Sequence, residues 1–185
     1  MRRAFLSICA LLVCLPLAAQ SGNTPRHAPP LEIAMPDGTK VNLSRCAGKV
    51  CVVEFLFTTC PHCQETSQVM SKLYSEYGAR GFQPLGAAFN ENAMLLVPEF
   101  VRNNNVNYPV GVLPREKVLD YLGYSMMARL MVPQVVFIDR KGTIRYQSSI
   151  DGGENLHSEA RMRQIIEELL KEPAGSRKTV SMKKK

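Results

Sequence analysis

The chain has 185 residues, of which 45% are hydrophobic, so it can bury one ordinary core and a single domain is expected. Its formal net charge is +7, but much of this charge lies in Arg2, Arg3 and the C-terminal SRKTVSMKKK, which has neither aromatic residues nor periodicity. This placement argues against a nucleic-acid-binding surface and predicts a disordered basic tail over residues 173–185, with contact to anionic lipid or cell wall as the alternative.

The first nineteen residues have the pattern of a secretory signal peptide. Two arginines precede an apolar stretch over residues 4–17, and two alanines stand before the polar Gln20. An uncleaved membrane anchor is the alternative. Cleavage removes Cys9 and Cys14 and leaves four cysteines in an exported protein, where disulfides persist. We therefore expect export to the periplasm or another extracytoplasmic compartment, with membrane association as the alternative.

A Pro-containing leader over residues 20–30 is expected to precede the folded domain. LEIAM and KVNL then flank a turn at Asp37 and Gly38, as in a β-hairpin. KVCVVEFLF, residues 49–57, is a continuous run of β-branched and aromatic residues with one acid. Such a run is typical of a strand that is covered on both faces.

A helix begins where the apolar spacing changes at Pro61 and is expected to end near Gly78 and Gly81. Its apolar stripe consists of Val69, Met70, Leu73, Tyr74 and Tyr77. FQPLGAAF and YPVGVL predict strands, and AMLLVPEFVRNN between them predicts a helix despite Pro98.

The last third of the chain predicts a helix, a hairpin and a final helix. PREKVLDYLGY places Pro114 at a first helical position. PQVVFID and TIRYQSSI flank a turn at Lys141 and Gly142, and the final helix in ENLHSEARMRQIIEELLKE has one apolar face, formed by Leu156, Ile165, Ile166, Leu169 and Leu170. Because strands alternate with helices and finish as a hairpin plus helix, we expect an α/β fold with a mixed sheet flanked by helices.

Four cysteines within residues 46–63 raise the question of a zinc site. The run between Cys51 and Cys60 reads as extended, and at ~3.3 Å per residue it keeps the two pairs roughly 25 Å or more apart. Four thiolates so placed cannot bind one zinc ion. A half-site completed by His27 or His157 lacks ligand spacing, so no metal is expected.

A redox centre at Cys60 and Cys63 requires only these two cysteines, whereas a four-thiolate zinc site would need all four. With Pro61 at the first helical position, Cys60 becomes the helix N-cap and Cys63 lies one turn further on, so their Cα atoms are ~5–6 Å apart, within the span of a disulfide. The free N–H groups and the positive end of the helix favour a thiolate at Cys60. We therefore expect Cys60 to be the nucleophile and Cys63 to be the resolving cysteine.

Two further residues belong to this candidate site. His62 can supply a donor or a positive charge near Cys60, or it can be a solvated residue of the helix start. Glu54 is costly within an apolar strand unless it is paired or has a raised pKa. It can lie beneath the helix start and exchange a proton with Cys63; the alternative is an acid on an edge strand that faces water.

The sequence EFLFTTCPHC resembles the active-site strand and helix start of thioredoxin-fold oxidoreductases, and CPHC is the form found in the periplasmic oxidant DsbA. The resemblance includes the acid six residues before the first cysteine, Glu54. MVPQVVFIDRKGTIRY is similar to the stretch in which these proteins place a cis-proline, which implies that Val132 and Pro133, together with Pro61 and His62, tune the site.

The order of elements from Leu31 to Lys171 is closer to the TlpA and ResA branch of the redoxins, with an N-terminal hairpin, a central insertion and FIDRKG. ResA-like proteins often carry a second acid three residues after the second cysteine, where this sequence has Thr66, with Glu65 beside it. Many relatives have tryptophan before the first cysteine, where this sequence has Thr59. The helical insertion of DsbA is not evident. The resemblance implies a thioredoxin-like domain over residues 31–172.

The implied function is an exported thiol-disulfide oxidoreductase that exchanges the Cys60–Cys63 pair with cysteines of client proteins. DsbA-like proteins oxidise, whereas TlpA-like proteins mostly reduce, for instance in cytochrome c maturation or at metal-site thiols. We expect an oxidant, and a periplasmic reductase, a thiol peroxidase and a copper(I) carrier are the alternatives. The expected partners are client proteins and a membrane or exported recycling protein, with no nucleic acid and no cofactor beyond the cysteine pair, in a monomer.

Two other groups of sulfur-containing residues remain. Cys46 and Cys51 bracket a short loop, and we expect a structural disulfide between them; a buried unpaired Cys51 and a second redox pair are the alternatives. Met126, Met127 and Met131 are expected to fill the core, and a client-binding groove or a copper surface is the alternative.

Overall fold

The computed structural model describes residues 24–152 and 155–173. The signal segment expected at residues 1–19 and all but the first residue of the tail expected at 173–185 lie outside these ranges. None of the helices in the described ranges is long and apolar enough to cross a membrane.

The described residues form a mixed sheet with helices packed on both faces, so the expected fold class is confirmed. The strands are β1 (Arg26–His27), β2 (Glu32–Ala34), β3 (Lys40–Asn42), β4 (Val50–Leu56), β5 (Phe82–Ala88), β6 (Val110–Val112), β7 (Gln134–Ile138) and β8 (Thr143–Gln147). The helices are α1 (Pro61–Tyr77), α2 (Ala93–Asn103), α3 (Arg115–Leu122) and α4 (Glu159–Lys171).

The strand order across the sheet is β1-β8-β7-β4-β5-β6-β2-β3. The β4–β5 and β5–β6 pairs are parallel, and the other neighbouring pairs are antiparallel. Strand β4 therefore lies at the centre, between β5 and β7, and all seven of its residues are buried. A continuous apolar run suits this position because both faces of the strand are covered.

Successive residues of β4 point to opposite faces of the sheet. Val50, Val52 and Leu56 belong to the core shared with α1, α2 and α4. Cys51 and Phe55 belong to the core on the other face, which α3 and the N-terminal segment cover. Glu54 has the same parity as Val52 and Leu56, and it therefore points toward α1.

Three local features differ from the sequence expectations. Pro114 is the N-cap of α3 rather than its first helical residue. The last helix begins only at Glu159, after an N-cap at Ser158. Within the stretch expected to be a leader, β1 pairs with β8 and Ala28 is buried, so that part of the leader joins the sheet and core.

Candidate active site

The first cysteine of the CPHC sequence lies where the central strand gives way to α1. Cys60 is the N-cap of the helix, with extended backbone angles, and Pro61 occupies the first turn. Proline suits this position because its missing N–H would have no intrahelical partner there. The Cys60 side chain is partly exposed, whereas Cys63 is fully buried. Of the two thiols, only that of Cys60 is accessible to another protein.

The loop before Cys60 is held by polar contacts on both sides. The Thr58 N–H donates to Asn90 Oδ1 at 2.9 Å, and Gln64 Nε2 of α1 donates to the Thr58 carbonyl at 3.1 Å. The Cys60 N–H donates to the Phe57 carbonyl at 3.1 Å. These contacts fix the backbone that carries the thiol.

A segment distant in sequence covers the Cys60 thiol. Cys60 Sγ lies 4.0 Å from the carbonyl oxygen of Val132, to which the thiol donates. The peptide bond between Val132 and Pro133 is cis. No side-chain capping hydrogen bond joins Cys60 to the first turn of α1. In the dithiol form Cys60 therefore faces the Val132 carbonyl rather than the free N–H groups expected from the sequence.

The Cys63 thiol lies in an environment that keeps it protonated. Burial, and next the charge of the neighbouring Glu54, raise the pKa of the Cys63 thiol well above its ordinary value. A hydrogen bond from the backbone of Phe57 acts in the opposite direction. Because only a thiolate attacks a disulfide, Cys63 needs a nearby base before it can react.

Glu54 lies in the central strand with no exposed surface. Its Oε2 accepts hydrogen bonds from the Ser67 hydroxyl at 2.7 Å and the Tyr108 hydroxyl at 3.3 Å. Burial raises the pKa of Glu54 to about 8, and these two hydrogen bonds oppose the shift. The alternative of an edge-strand acid facing water is wrong, because β5 and β7 flank Glu54 and α1 covers it.

The His62 side chain is largely exposed at the start of α1. Its side chain is 74% exposed, and Nδ1 lies 3.5 Å from Oε2 of Glu65. His157 is half-buried near His62 and Glu65. Burial first, and then His62, lower the pKa of His157, whereas Glu65 raises it. The helix start thus carries a small group of titratable side chains on its exposed side.

The other two cysteines form a disulfide between Cys46 and Cys51, with their Cα atoms 5.7 Å apart. Cys51 is fully buried, and Cys46 is 7% exposed. The pair lies at the start of β4, at the opposite end of the strand from Cys60. The alternative of an unpaired Cys51 is wrong.

The methionines near the proline segment are not core residues, and that expectation is wrong. Met126, Met127 and Met131 are 51%, 89% and 60% exposed. Arg115 anchors the backbone of their segment, since its guanidinium donates to the carbonyls of Met126 at 3.2 Å and Ala128 at 2.7 Å. The segment that leads into Val132 therefore presents thioether side chains to solvent.

Sequence reasoning missed Ser67 and Tyr108. Ser67 follows Cys63 by four residues, so helical spacing already placed the two on one face. Tyr108 carried no comparable signal, because its contact with Glu54 depends on how the segment before β6 packs. Among the described residues, no group of three or more His, Cys, Asp or Glu side chains could hold a metal ion.

Comparisons with known proteins place these features in a family. Residues 25–147 match the AhpC/TSA family. The thiol-disulfide oxidoreductase ResA of Halalkalibacterium halodurans is 28% identical over 108 residues, which are 58% of this chain and 58% of the relative. The chain therefore matches little more than half the length of that curated protein.

Solved structures show the same fold over more of the chain. A thiol:disulfide interchange protein of the thioredoxin family from Chlorobium tepidum TLS is 26% identical, with 80% of this chain and 98% of that chain covered and a TM-score of 0.67. The thioredoxin domain of a thiol-disulfide oxidoreductase from Bacteroides vulgatus is 18% identical, with coverages of 78% and 96% and a TM-score of 0.62. The second similarity shows the fold alone.

Proposed function

The chain belongs to the AhpC/TSA family, and from this membership and the cysteine geometry we propose that it is an exported thiol-disulfide oxidoreductase acting on client proteins. It is a thioredoxin-like enzyme whose redox group is the Cys60–Cys63 pair. The observation that carries the proposal is the unequal burial of the two thiols: Cys60 is accessible at a helix start, and Cys63 is enclosed one turn further on.

Exchange proceeds in two steps with a balanced transfer of two electrons. When the dithiol reduces a client, the Cys60 thiolate attacks one client sulfur and the other leaves as a thiolate. Cys63 then loses its proton and attacks Sγ of Cys60, which releases the second client thiol and leaves a Cys60–Cys63 disulfide. Oxidation of a client is the reverse, with Cys63 leaving as a thiolate and taking up a proton.

Glu54 supplies the proton acceptor that the second step needs. It is enclosed with Cys63, and its pKa of about 8 lies close enough to neutrality for both protonation states to be used. Each turnover leaves one proton to be returned to solvent. Glu54 thus acts as a general base in one direction and as a general acid in the other.

The N-cap position of Cys60 supports an oxidising role, although in the dithiol form its thiol donates to the Val132 carbonyl and not to the helix. A positive helix end beside Cys60 stabilises a thiolate, which makes the disulfide easier to reduce and easier to transfer to a client. Export is supported by the N-terminal sequence pattern and by the Cys46–Cys51 pair, since such disulfides persist in oxidising compartments. A reductase for metal-site or cytochrome thiols is the alternative.

One preparation of the full chain tests the proposal against its rivals. We expect it to reduce insulin with dithiothreitol as the electron source, and to show neither steady peroxide consumption nor stoichiometric copper(I) binding. Cys60→Ser should abolish insulin reduction, and Cys63→Ser should trap a mixed disulfide with the client. Peroxide turnover, or copper binding without exchange, would replace the proposal. A reduction potential near that of thioredoxin, roughly −270 mV, would contradict the oxidising role alone.

A further inference from the structure

The two hydrogen bonds to Glu54 reach the same oxygen atom. Ser67 Oγ lies 2.7 Å and Tyr108 OH 3.3 Å from Oε2. Oε1 is buried and has no hydrogen-bond partner among the described residues. A buried polar atom without a partner is costly, and a role in proton transfer is one explanation for such an atom.

We propose that Ser67 and Tyr108 are positioning residues that bind Oε2 of Glu54 and so assign to Oε1 the proton exchanged with Cys63. This inference rests on the proposed function. A carboxyl oxygen has two lone-pair positions, and two donors occupy those of Oε2. When the Cys63 thiol gives its proton to the Glu54 carboxylate, the proton binds the free Oε1. Oε2 then becomes the carbonyl oxygen, and both hydroxyls continue to donate hydrogen bonds to it.

The two donors come from different elements, which fixes the carboxyl group on two sides. Ser67 lies on α1, one turn beyond Cys63, and has no exposed surface. Tyr108 lies just before β6, is 6% exposed, and its hydroxyl also lies 4.0 Å from Met70 Sδ. Because both belong to the enclosed core, their hydroxyls are not exchanged for water when a client approaches.

Few other groups can influence Glu54. From α1 the titratable groups are Cys63 and, behind it, Cys60. From the segment before β6 it is Tyr108. The neighbours of Glu54 across the sheet are Gly86 on β5 and Val135 on β7, which carry no titratable side chain. The state of Glu54 therefore depends on the two donors and the cysteine pair.

Both hydrogen bonds stabilise the charged carboxylate and lower the pKa of Glu54 from the value that burial alone would give. Removing either donor should therefore raise the pKa of Glu54. Because only the ionised carboxylate can accept the proton of Cys63, this step then requires a higher pH. Hydrogen bonds to charged groups are strong enough to move an inflection by about one pH unit, a tenfold change.

Single-turnover reduction of an aromatic disulfide separates the two steps. Attack by Cys60 releases the first coloured thiolate, and resolution by Cys63 releases the second. We expect Ser67→Ala and Tyr108→Phe to leave the first phase unchanged. Each should move the inflection of the second phase between pH 6 and 10 upward by about one unit and slow that phase about tenfold at neutral pH.

Matched controls remove the same groups without touching Glu54. Ser71→Ala deletes a hydroxyl one turn further along the same helix, where it donates to the Ser67 carbonyl at 2.9 Å. Tyr121→Phe deletes a buried phenol hydroxyl on the other face of the sheet, which has no partner among the described residues. Both controls should keep the wild-type profile in both phases.

A measurement that does not require exchange completes the test. The infrared carbonyl band of protonated Glu54, identified by its loss in Glu54→Gln, should shift to higher frequency in Ser67→Ala or Tyr108→Phe, because the carbonyl oxygen then accepts one bond fewer. Folded variants with unchanged second-phase profiles and an unshifted band would overturn the inference. Loss of the first phase in wild type would instead refute the proposed function itself.

Discussion

At the scale of single residues, the site separates an accessible thiol from an enclosed thiol and an enclosed carboxyl group. Cys60 lies at a helix start, and Cys63 and Glu54 lie fully inside. The sequence was sufficient to predict this division, because proline marks the first helical turn and an acid in an apolar strand must be paired or neutral. It was not sufficient to identify Ser67, since a serine on a helix usually faces solvent, nor Tyr108, since its position depends on packing between distant segments.

His62 provides the first prediction at this scale. Its imidazole is exposed and lies against Glu65, so its effect on Cys60 is through space and screened by solvent. Proline at this position removes a side chain that can donate a hydrogen bond or carry a positive charge near the start of α1, and either would stabilise a Cys60 thiolate and with it the reduced protein. We expect His62→Pro to lower the reduction potential by roughly 5–20 mV, since an exposed interaction contributes at most about 1 kcal/mol and about 30 mV corresponds to 1.4 kcal/mol for this couple.

Equilibration with a glutathione buffer at low and high salt measures this effect, which should shrink as salt increases. The matched control is His27→Gln, which alters an exposed histidine of β1, far from α1. An unchanged potential in His62→Pro, or an equal change in the control, would contradict a specific effect of His62 on the potential of the pair.

At the scale of elements, the start of α1 and the segment Val132–Pro133 meet at Sγ of Cys60, although 72 residues separate Cys60 from Val132. The strands and helices followed from their apolar periodicity, because β4 is continuous and α1 repeats its apolar residues at helical spacing. The pairing of β1 with β8 could not be predicted, since a two-residue strand beside prolines has no periodic signal.

The disulfide between Cys46 and Cys51 is an element-scale feature, because it closes the short loop that leads into β4. In the chain-entropy description such a small loop contributes about 2 kcal/mol to the free energy of unfolding. We expect the double variant Cys46→Ala with Cys51→Ala to lose about that much in urea unfolding and to keep wild-type insulin reduction. Loss of insulin reduction in a folded double variant would instead assign the pair a redox role.

At the scale of the whole molecule, the fold buries a carboxyl group that prefers to be neutral. Glu54 has a pKa of about 8 in the folded chain, against an ordinary value of 4.5. The folded state holds this proton between those two pH values, and the unfolded state does not. Stability contributed by this group is therefore fully present below about pH 4.5 and is lost progressively as the pH rises toward 8.

Glu54→Gln removes this dependence, because an amide resembles the neutral carboxylic acid. We expect the variant to be as stable as wild type near pH 4.5 and more stable at pH 7, by at most about 3 kcal/mol. Urea unfolding of both proteins at a series of pH values gives the difference, in which other titrating groups cancel. A difference that stays constant between pH 5 and 9 would mean that Glu54 is already charged in the folded chain.

The position of the two cysteine pairs at opposite ends of β4 also bears on how the protein matures. If the chain is exported amino end first, Cys46 and Cys51 emerge before Cys60 and Cys63, and each pair is close in sequence. Loop closure favours partners separated by few residues, so the first pair can close before the second is available. Export in that order would therefore disfavour crossed disulfides between the two pairs and would leave Cys60 and Cys63 to pair with each other.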